Sequence, residues 1–460
     1  MVGASILLAW STFFLLPQIY ALPTISTVGA KFFTSDGDQW FIKGIAYQRS
    51  PDDPLLDSNQ CTADAKLMAT LGTNAIRVYH VDPNGDHDAC MKAFSDAGIY
   101  VFLDLDTFDT YILNIGSQPS WNAFQFTRYS EVMDAFAGYD NTAGFFIGNE
   151  VIFTNADSPA APYIKGATRD MKSYRDSKGY RPIPVGYAAA DIAELRPQLQ
   201  NYLVCGGDSK AAIDFFGLNS YEWCGNVDYQ SSGYSNLQAI SEGYSAPIFF
   251  SETGCNVPPQ RTFADQAAIF GPDMVNTWSG AMIYEWMQEQ NEYGLISYGG
   301  TAANPVRAGT PTPIVPDFNN LASAWKVSPK GVKLSDYQHV ASSLTTPACP
   351  AATSGGWAVN GNIPLPVVQN QIIQLSSSGT PSAASSTGSG TSSSTAASET
   401  SGVSGTPTGS NTSPQSSSGV TQSNTPTPTN LANSTRTSLR NLIIMNTLVI
   451  LLSAIMNFLA

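Results

Sequence analysis

The chain has 460 residues, of which 43% are hydrophobic, so it can bury a large core. Its formal net charge of −14 argues against nucleic acid and anionic membrane surfaces as partners, because both attract Lys and Arg. The charge is compatible with a neutral substrate such as a polysaccharide, and the aromatic content of 11% suits sugar rings.

The N-terminus predicts a secretory signal peptide over residues 1–21. This stretch is largely apolar and carries no charge, and Ala21 is suited to the last position before cleavage. Export through the secretory pathway follows from this prediction.

Strand patterns dominate the next part of the chain. A hairpin with a turn at Asp36-Gly37 comes first, and eight short apolar runs then alternate with helical patterns. The runs are 41–47, 74–79, 100–105, 144–149, 181–187, 214–221, 247–252 and 280–286. This alternation predicts a parallel sheet, and eight units fit a closed (β/α)8 barrel, with an open doubly wound sheet as the alternative. No glycine-rich phosphate motif follows an early strand, so no nucleotide is expected.

The intervening segments have helical spacing. Asp86 is expected to cap one helix, and Gly98 is expected to end it. Apolar residues over 129–136 and 164–174 recur at helical intervals, and Gly179 ends the second of these patterns.

Six cysteines in an exported chain favour three disulfides, and six cysteines alone allow 15 connectivities. The sequence has no CxxC pair, and its three histidines lack metal-ligand spacing. We therefore expect neither a metal site nor thiol chemistry, and no cofactor.

The C-terminal part changes composition sharply. Residues 376–435 are rich in Ser, Thr, Gly and Pro, which predicts a disordered stalk with a glycosylation sequon at Asn411. The uncharged tail after residue 441 predicts a GPI-anchor signal, removed as residues 436–460, with Asn433 as the candidate attachment site. A tail-anchored helix is the alternative. The prediction is a cell-surface protein that touches the membrane through a GPI lipid only.

Polar side chains stand at the C-terminal ends of the predicted strands, where a barrel carries its chemistry. They are Tyr47, Gln48, Tyr79, His80, Asp104, Asn149, Glu150, Tyr221, Glu222, Glu252, Tyr284 and Glu285. Paired carboxyls at one mouth suggest glycoside chemistry, in which one is protonated and the other ionised. Spacing alone does not choose Glu150 and Glu252 over Glu222 and Glu285, and a structural salt bridge is the alternative for each.

Six local motifs, in order over about residues 25–350, together resemble glycoside hydrolase family 72. They are "RVY" (77–79), "LDL" (103–105), "GNEV" (148–151), "LNSYEWCG" (218–225), "SETGC" (251–255), and "YEW" (284–286) with "NEYG" (291–294). The resemblance implies a (β/α)8 catalytic domain over 22–350 and a connector over 351–375. No cysteine-rich carbohydrate-binding module follows, so the chain resembles the family's shorter subtype.

The family resemblance also implies residue roles. Glu150 matches the acid/base and Glu252 the nucleophile. The positions that match the donor-site lining are Gln48, Tyr79, Asp104, Asn149, Tyr221 and Tyr284. The implied disulfides are Cys61–Cys90, Cys205–Cys349 and Cys224–Cys255.

The function implied is that of a retaining β-1,3-glucanosyltransferase of the fungal cell wall. Such an enzyme cleaves a β-1,3-glucan internally and transfers the new reducing end to the non-reducing end of another glucan chain. The alternatives are a retaining β-1,3-glucan or β-mannan hydrolase, and a silent glucan-binding wall protein.

Overall fold

The structure is a computed structural model, and it describes residues 22–114 and 116–368. The predicted signal peptide, the stalk with Asn411, the candidate attachment site Asn433 and the GPI-anchor segment lie outside these residues. Within them, no helix has the length and apolar character needed to span a membrane.

Eight parallel strands close into a barrel, in which the last strand pairs with the first. They are β3 (Ile42–Ala46), β4 (Ala75–Val78), β5 (Tyr100–Asp104), β6 (Thr142–Asn149), β7 (Val185–Ala190), β8 (Phe216–Asn219), β9 (Ile248–Thr253) and β10 (Trp278–Ile283). Each predicted apolar run overlaps one of these strands. The predicted closed barrel is confirmed, and the open doubly wound sheet is excluded.

Helices follow most barrel strands, and a short 3-10 helix over Asn155–Ala160 precedes the longest of them. The helices are α1 (Ser58–Leu71), α2 (Asp88–Asp96), α3 (Ala123–Phe136), α4 (Ala161–Ser177), α5 (Arg196–Val204), α6 (Tyr234–Ser241), α7 (Asp265–Ile269), α8 (Asp317–Ala324) and α9 (Leu334–Ala341). The short strand pairs β11 (Ile296–Ser297) with β14 (Thr312–Pro313), and β12 (Gly300–Thr301) with β13 (Asn304–Pro305), lie in the segment after β10.

Two local predictions about helix ends have different outcomes. Gly98 follows α2 with φ 77°, the left-handed conformation that glycine adopts without a steric penalty, so this predicted stop is confirmed. The predicted cap at Asp86 is wrong by one residue, because His87 occupies the N-cap position. The Asp86 Oδ1 atom instead accepts the backbone N–H of Asp88 at 3.2 Å, just ahead of the helix.

An N-terminal hairpin of β1 (Ile25–Val28) and β2 (Lys31–Thr34) closes the bottom of the barrel. Phe32 is fully buried there, and its ring packs against the rings of Phe102, Phe215 and Phe249. The Asp36-Gly37 turn forms as predicted, but the main partner of β2 is β1, and the residues after the turn add only a single bridge, between Phe33 and Gln39.

Three disulfides join neighbouring parts of the domain, with the pairings that the family resemblance implied. Cys61–Cys90 connects α1 to α2, and Cys205–Cys349 connects the end of α5 to the segment after α9. Cys224–Cys255 connects the loops that follow β8 and β9, at the mouth of the barrel.

The segment after Cys349 continues to pack on the barrel's outer layer as far as it is described. Trp357 is buried against Tyr202, and the Arg169 side chain donates to the Pro366 carbonyl at 2.6 Å.

Candidate active site

Glu150 stands directly after β6, at the mouth of the barrel. Its backbone N–H donates to the Ala188 carbonyl of β7 at 2.8 Å, which ties the turn to the neighbouring strand. Its φ is 48°, a left-handed conformation that is uncommon for a residue with a side chain and that is often found at functional sites. The carboxyl oxygen Oε1 accepts one hydrogen bond, from Asn219 Nδ2 at 3.0 Å.

The surroundings of Glu150 favour its protonated form. Burial and the nearby charge of Glu252 raise the pKa of Glu150 to about 7, against smaller opposing effects of Asn219 and Arg77. A carboxyl with this pKa still holds its proton near neutral pH, as a general acid must.

Glu252, near the end of β9, is also buried but receives more hydrogen-bond donors than Glu150 does. Its Oε1 accepts from the Tyr79 hydroxyl and its Oε2 from the Tyr221 hydroxyl, both at 2.9 Å. The Arg77 guanidinium lies 3.5 Å from Oε1. Burial raises the pKa of Glu252, while Arg77 and both tyrosine hydroxyls lower it by stabilising the carboxylate. These contacts hold both oxygens in fixed positions.

Arg77 is the largest charged group in the site, and the sequence reasoning did not single it out, although it begins the "RVY" motif. It is fully buried on β4 and binds the Asp104 carboxylate through two hydrogen bonds of 2.9 and 2.7 Å. It also donates to Asn149 Oδ1 at 2.9 Å and packs against the rings of Tyr79 and Phe146. One cation thus joins the ends of four strands.

A second missed residue is Asn219, at the end of β8. Its Oδ1 accepts from the Ser251 hydroxyl at 2.7 Å, which fixes the amide so that Nδ2 points to Glu150 and to Asn149 Oδ1. Asn149 Oδ1 therefore accepts from both Arg77 and Asn219. The Asn149 amino group has no hydrogen-bond partner within residues 22–114 and 116–368 and is left to donate to a ligand. The only sequence signal for Asn219 was its place in "LNSYEWCG".

The remaining predicted donor-site residues form one wall of the mouth. Gln48 Nε2 donates to the Tyr284 hydroxyl at 2.7 Å and to Glu285 Oε2 at 2.6 Å. Tyr284 and Tyr221 meet edge to face, and both contact Tyr293 with ring centroids 5.5 Å apart. Three tyrosine rings thus line this side, which suits a sugar chain.

The other strand-end acids take structural positions. Asp104 is 2% exposed, and both its oxygens are bound by Arg77, so it holds the arginine from beneath. Glu222 pairs with Arg196 at 3.1 Å. His80 stacks on Phe108, and burial lowers its pKa to about 4, so its ring is neutral. No cluster of His, Cys, Asp or Glu suited to a metal ion occurs among the residues that the structure describes.

This arrangement combines a carboxyl that keeps its proton, a carboxylate fixed by three donors, and an aromatic wall, which are the parts that glycoside chemistry uses. Residues 17–328 match the model of the glucanosyltransferase family, glycoside hydrolase family 72.

Several known proteins are similar over most of the described chain. The 1,3-beta-glucanosyltransferase gas2 of Schizosaccharomyces pombe is 41% identical over 77% of this chain and 79% of its own. The 1,3-beta-glucanosyltransferase GAS2 of Saccharomyces cerevisiae is 40% identical over 74% of this chain, which spans only 63% of that longer protein.

Solved structures agree with the sequence comparisons. A mutant of Saccharomyces cerevisiae Gas2p in complex with laminaritetraose and laminaripentaose superposes with a TM-score of 0.69, at 38% identity, over 77% of each chain. Gas2p in complex with laminaritriose and laminaritetraose gives 0.70 at 39% identity, over 77% of this chain and 79% of that one. The chain therefore belongs to the glucanosyltransferases of glycoside hydrolase family 72.

Proposed function

We propose that this chain is a retaining β-1,3-glucanosyltransferase in which Glu252 is the nucleophile and Glu150 the acid/base. The observation that carries the proposal is the contrast between the two carboxyls. Glu252 receives two hydroxyl hydrogen bonds and a guanidinium contact, whereas Glu150 receives one amide hydrogen bond and holds its proton to about pH 7. Two carboxyls whose surroundings separate their proton affinities supply an acid and a base.

In the first half of the reaction, Glu252 attacks the anomeric carbon of a β-1,3-glucan. The bond from that carbon to the glycosidic oxygen breaks, and Glu150 gives its proton to the leaving oxygen, which releases the reducing-side fragment. The product is a glycosyl ester on Glu252 and an ionised Glu150. The Asn149 amino group is placed to donate to the sugar 2-hydroxyl, an interaction that strengthens in the transition state.

In the second half, the 3-hydroxyl at the non-reducing end of another glucan chain attacks the same anomeric carbon. Glu150 takes the hydroxyl proton, and the ester bond to Glu252 breaks. Both carboxyls return to their starting states, and inversion at each of the two steps gives net retention. One linkage is broken and one is formed, so no nucleotide sugar is required.

The choice of β-1,3-glucan rests on relatives. Two solved structures of one relative, Gas2p, contain laminari-oligosaccharides, and the similar proteins are named 1,3-beta-glucanosyltransferases. We further propose that the chain is held at the cell surface by a GPI lipid attached near Asn433. This rests on the uncharged C-terminal tail of the sequence.

The test is incubation with a reduced laminari-oligosaccharide of defined length, followed by sizing of the products. Transfer yields products longer than the starting oligosaccharide, whereas a hydrolase yields only shorter ones. Glu150→Gln and Glu252→Gln should each abolish both kinds of product. Full activity in either variant would overturn the residue assignment.

Glu222→Gln is the matched control, because it neutralises another strand-end acid that binds Arg196 rather than the reacting centre. We expect this variant to keep forming longer products.

A further inference from the structure

Glu285 is a buried carboxyl that the proposed mechanism does not use. It lies directly after Tyr284, is 1% exposed, and has no Lys, Arg or His side chain within salt-bridge distance in the described part of the chain. Its two oxygens are each held by an amide: Oε2 by Gln48 Nε2 at 2.6 Å, and Oε1 by Asn291 Nδ2 at 2.7 Å. Because it is buried beneath Gln48, it acts on a substrate only through its neighbours.

The two amides differ in their freedom to turn. Asn291 is locked, because its Oδ1 accepts the backbone N–H of Tyr293 at 3.2 Å and its backbone carbonyl accepts Asn256 Nδ2 at 3.1 Å. Turning its side chain would break the first of these bonds. Gln48 has bonds only through Nε2, to Glu285 and to the Tyr284 hydroxyl.

The free end of Gln48 faces the mouth. Its Oε1 has no hydrogen-bond partner in residues 22–114 and 116–368, and the side chain is only partly buried. In the arrangement shown, Gln48 therefore offers a hydrogen-bond acceptor to a sugar. A half turn of the amide exchanges its oxygen and amino group, so the same position would then offer a donor.

The proton on Glu285 decides between these two orientations. An ionised carboxyl accepts on both oxygens, which is the arrangement shown. A protonated carboxyl must donate from one oxygen, and the locked Asn291 amino group already donates to Oε1, so the proton sits on Oε2. Gln48 must then turn its Oε1 towards Glu285 and its amino group towards the mouth.

We propose that Glu285 is a positioning residue that sets which atom of the Gln48 amide faces the glucan: the oxygen when Glu285 is ionised, the amino group when it is protonated. Both orientations keep the bond to Tyr284, because a tyrosine hydroxyl can accept or donate. The sugar hydroxyl that meets Gln48 must therefore donate at high pH and accept at low pH, and the other contacts of that hydroxyl decide which of the two roles it fills better. The inference rests on the proposed function, since it concerns the donor site of that reaction.

The groups around Glu285 bring its ionisation into a pH range in which binding can be measured. The pKa of Glu285 is raised to about 8. Burial, the neighbouring Glu289 and, to a smaller extent, Glu252 raise this pKa, while the hydrogen bonds from the two amides lower it. Tyr284 and Tyr293, which pack nearby, keep their protons because burial raises the pKa of both phenols. The Arg261 guanidinium donates to the backbone carbonyl of Tyr284 at 2.8 Å.

The experiment measures binding rather than turnover, so the titration of Glu150 does not contribute. In a Glu150→Gln background, the Kd of a laminari-oligosaccharide of defined length is measured by calorimetry at about pH 6 and about pH 9, a range that spans the Glu285 transition. We expect the Kd to differ about tenfold between the two, the effect of one mismatched hydrogen bond.

Adding Glu285→Gln should abolish that difference. The Asn291 amino group donates to the carbonyl oxygen of the introduced amide, so the amino group of that amide must face Gln48 and holds it in the turned orientation. The Kd of this double variant should match the low-pH value of the parent at both pH values. Adding Glu222→Gln instead should leave the pH dependence intact, because Glu222 does not contact Gln48.

Retention of the parent's pH dependence in Glu285→Gln would overturn the inference, as would a parent without any pH dependence. If Glu285→Gln does not fold, Gln48→Leu in the same background removes the turning amide, and it must also remove the pH dependence. Failure of the Glu150→Gln parent to bind any laminari-oligosaccharide would count against the proposed function itself, so the two failures are distinguishable.

Discussion

At the residue scale, the chemistry of the mouth depends on what surrounds each carboxyl. Glu150 and Glu252 lie at the ends of two strands that are not neighbours in the barrel. Glu150 is held by one amide, whereas Glu252 is held by two hydroxyls and a guanidinium. Asp104 is held by the same arginine through two hydrogen bonds. The loss of Arg77 should therefore disturb several residues of the site at once, because its guanidinium contacts Asp104, Asn149 and Glu252.

Replacing Arg77 should separate stability from catalysis. Arg77→Met leaves Asp104 buried without a partner, and we expect a loss of about 3–5 kcal/mol in the free energy of unfolding. Arg77→Met/Asp104→Asn removes the unpaired charge and should recover part of that loss. Neither variant should recover glucan transfer, because Glu252 has lost its cation.

Urea unfolding measured beside the transfer assay tests this prediction. A double variant that regains both stability and transfer would show that Arg77 serves only to neutralise Asp104.

The raised pKa of Glu150 predicts a pH-dependent stability. In the folded protein its pKa is about 7, above the ordinary value of 4.5, so ionisation opposes folding. The free-energy penalty of ionising Glu150 is absent below the ordinary pKa of 4.5, grows as the pH rises, and is complete above the folded-state pKa of about 7. Glu150→Gln should therefore raise the melting temperature by about 2 °C at about pH 8 and leave it nearly unchanged at about pH 4. An equal shift at both pH values would contradict the assigned proton.

At the element scale, the loops after β8 and β9 carry Tyr221 and frame Glu252, and Cys224–Cys255 joins them. Cys61–Cys90 closes a chain segment of similar length, 29 against 31 residues, but lies between two outer helices. The two disulfides can therefore be compared directly, because they close loops of similar length but only Cys224–Cys255 lies beside Glu252.

Removing each disulfide by a paired Cys→Ser change should destabilise the domain similarly, by about 3–4 kcal/mol from the entropy of the unfolded chain. Only the loss of Cys224–Cys255 should also lower kcat for transfer, because Tyr221 then loses its fixed position against Glu252. Melting temperatures and kcat at a temperature where both variants are folded test this. Equal kcat in the two variants would contradict a role for the mouth disulfide in positioning.

At the scale of the whole molecule, the barrel has a closed bottom and an open, polar top. The N-terminal hairpin inserts Phe32 among Phe102, Phe215 and Phe249, far along the strands from the carboxyls at their other ends. Phe32→Ala should therefore lower the free energy of unfolding by about 3–5 kcal/mol. The KM for the oligosaccharide should stay unchanged when measured well below the melting temperature. A large rise in KM would show that the hairpin is coupled to the mouth.

The features of the fold and the site that could be predicted from the sequence are those that depend on local sequence patterns. The eight strands were predicted because apolar runs and the helices between them are local patterns. The gathering of polar strand-end side chains at one mouth followed from the predicted barrel, but their individual contacts did not, because these arise when β10 closes onto β3 and brings distant residues together. No spacing indicates that Arg77 would bind Asp104, that Asn219 would hold Glu150, or that Glu285 would lie beneath Gln48. For the same reason, strand-end position alone could not separate Glu252 from Glu222.

The most direct test is to trap the glycosyl intermediate with a 2-deoxy-2-fluoro laminari-oligosaccharyl fluoride and to locate it by peptide mass spectrometry. The fluorine at position 2 slows the second step, and the fluoride leaves without an acid, so Glu150→Gln should form the adduct as well. We predict one glycosyl group on Glu252 in the wild type and in Glu150→Gln, and none in Glu252→Gln. A glycosyl group on Glu150, or an adduct in Glu252→Gln, would contradict the assignment of nucleophile and acid.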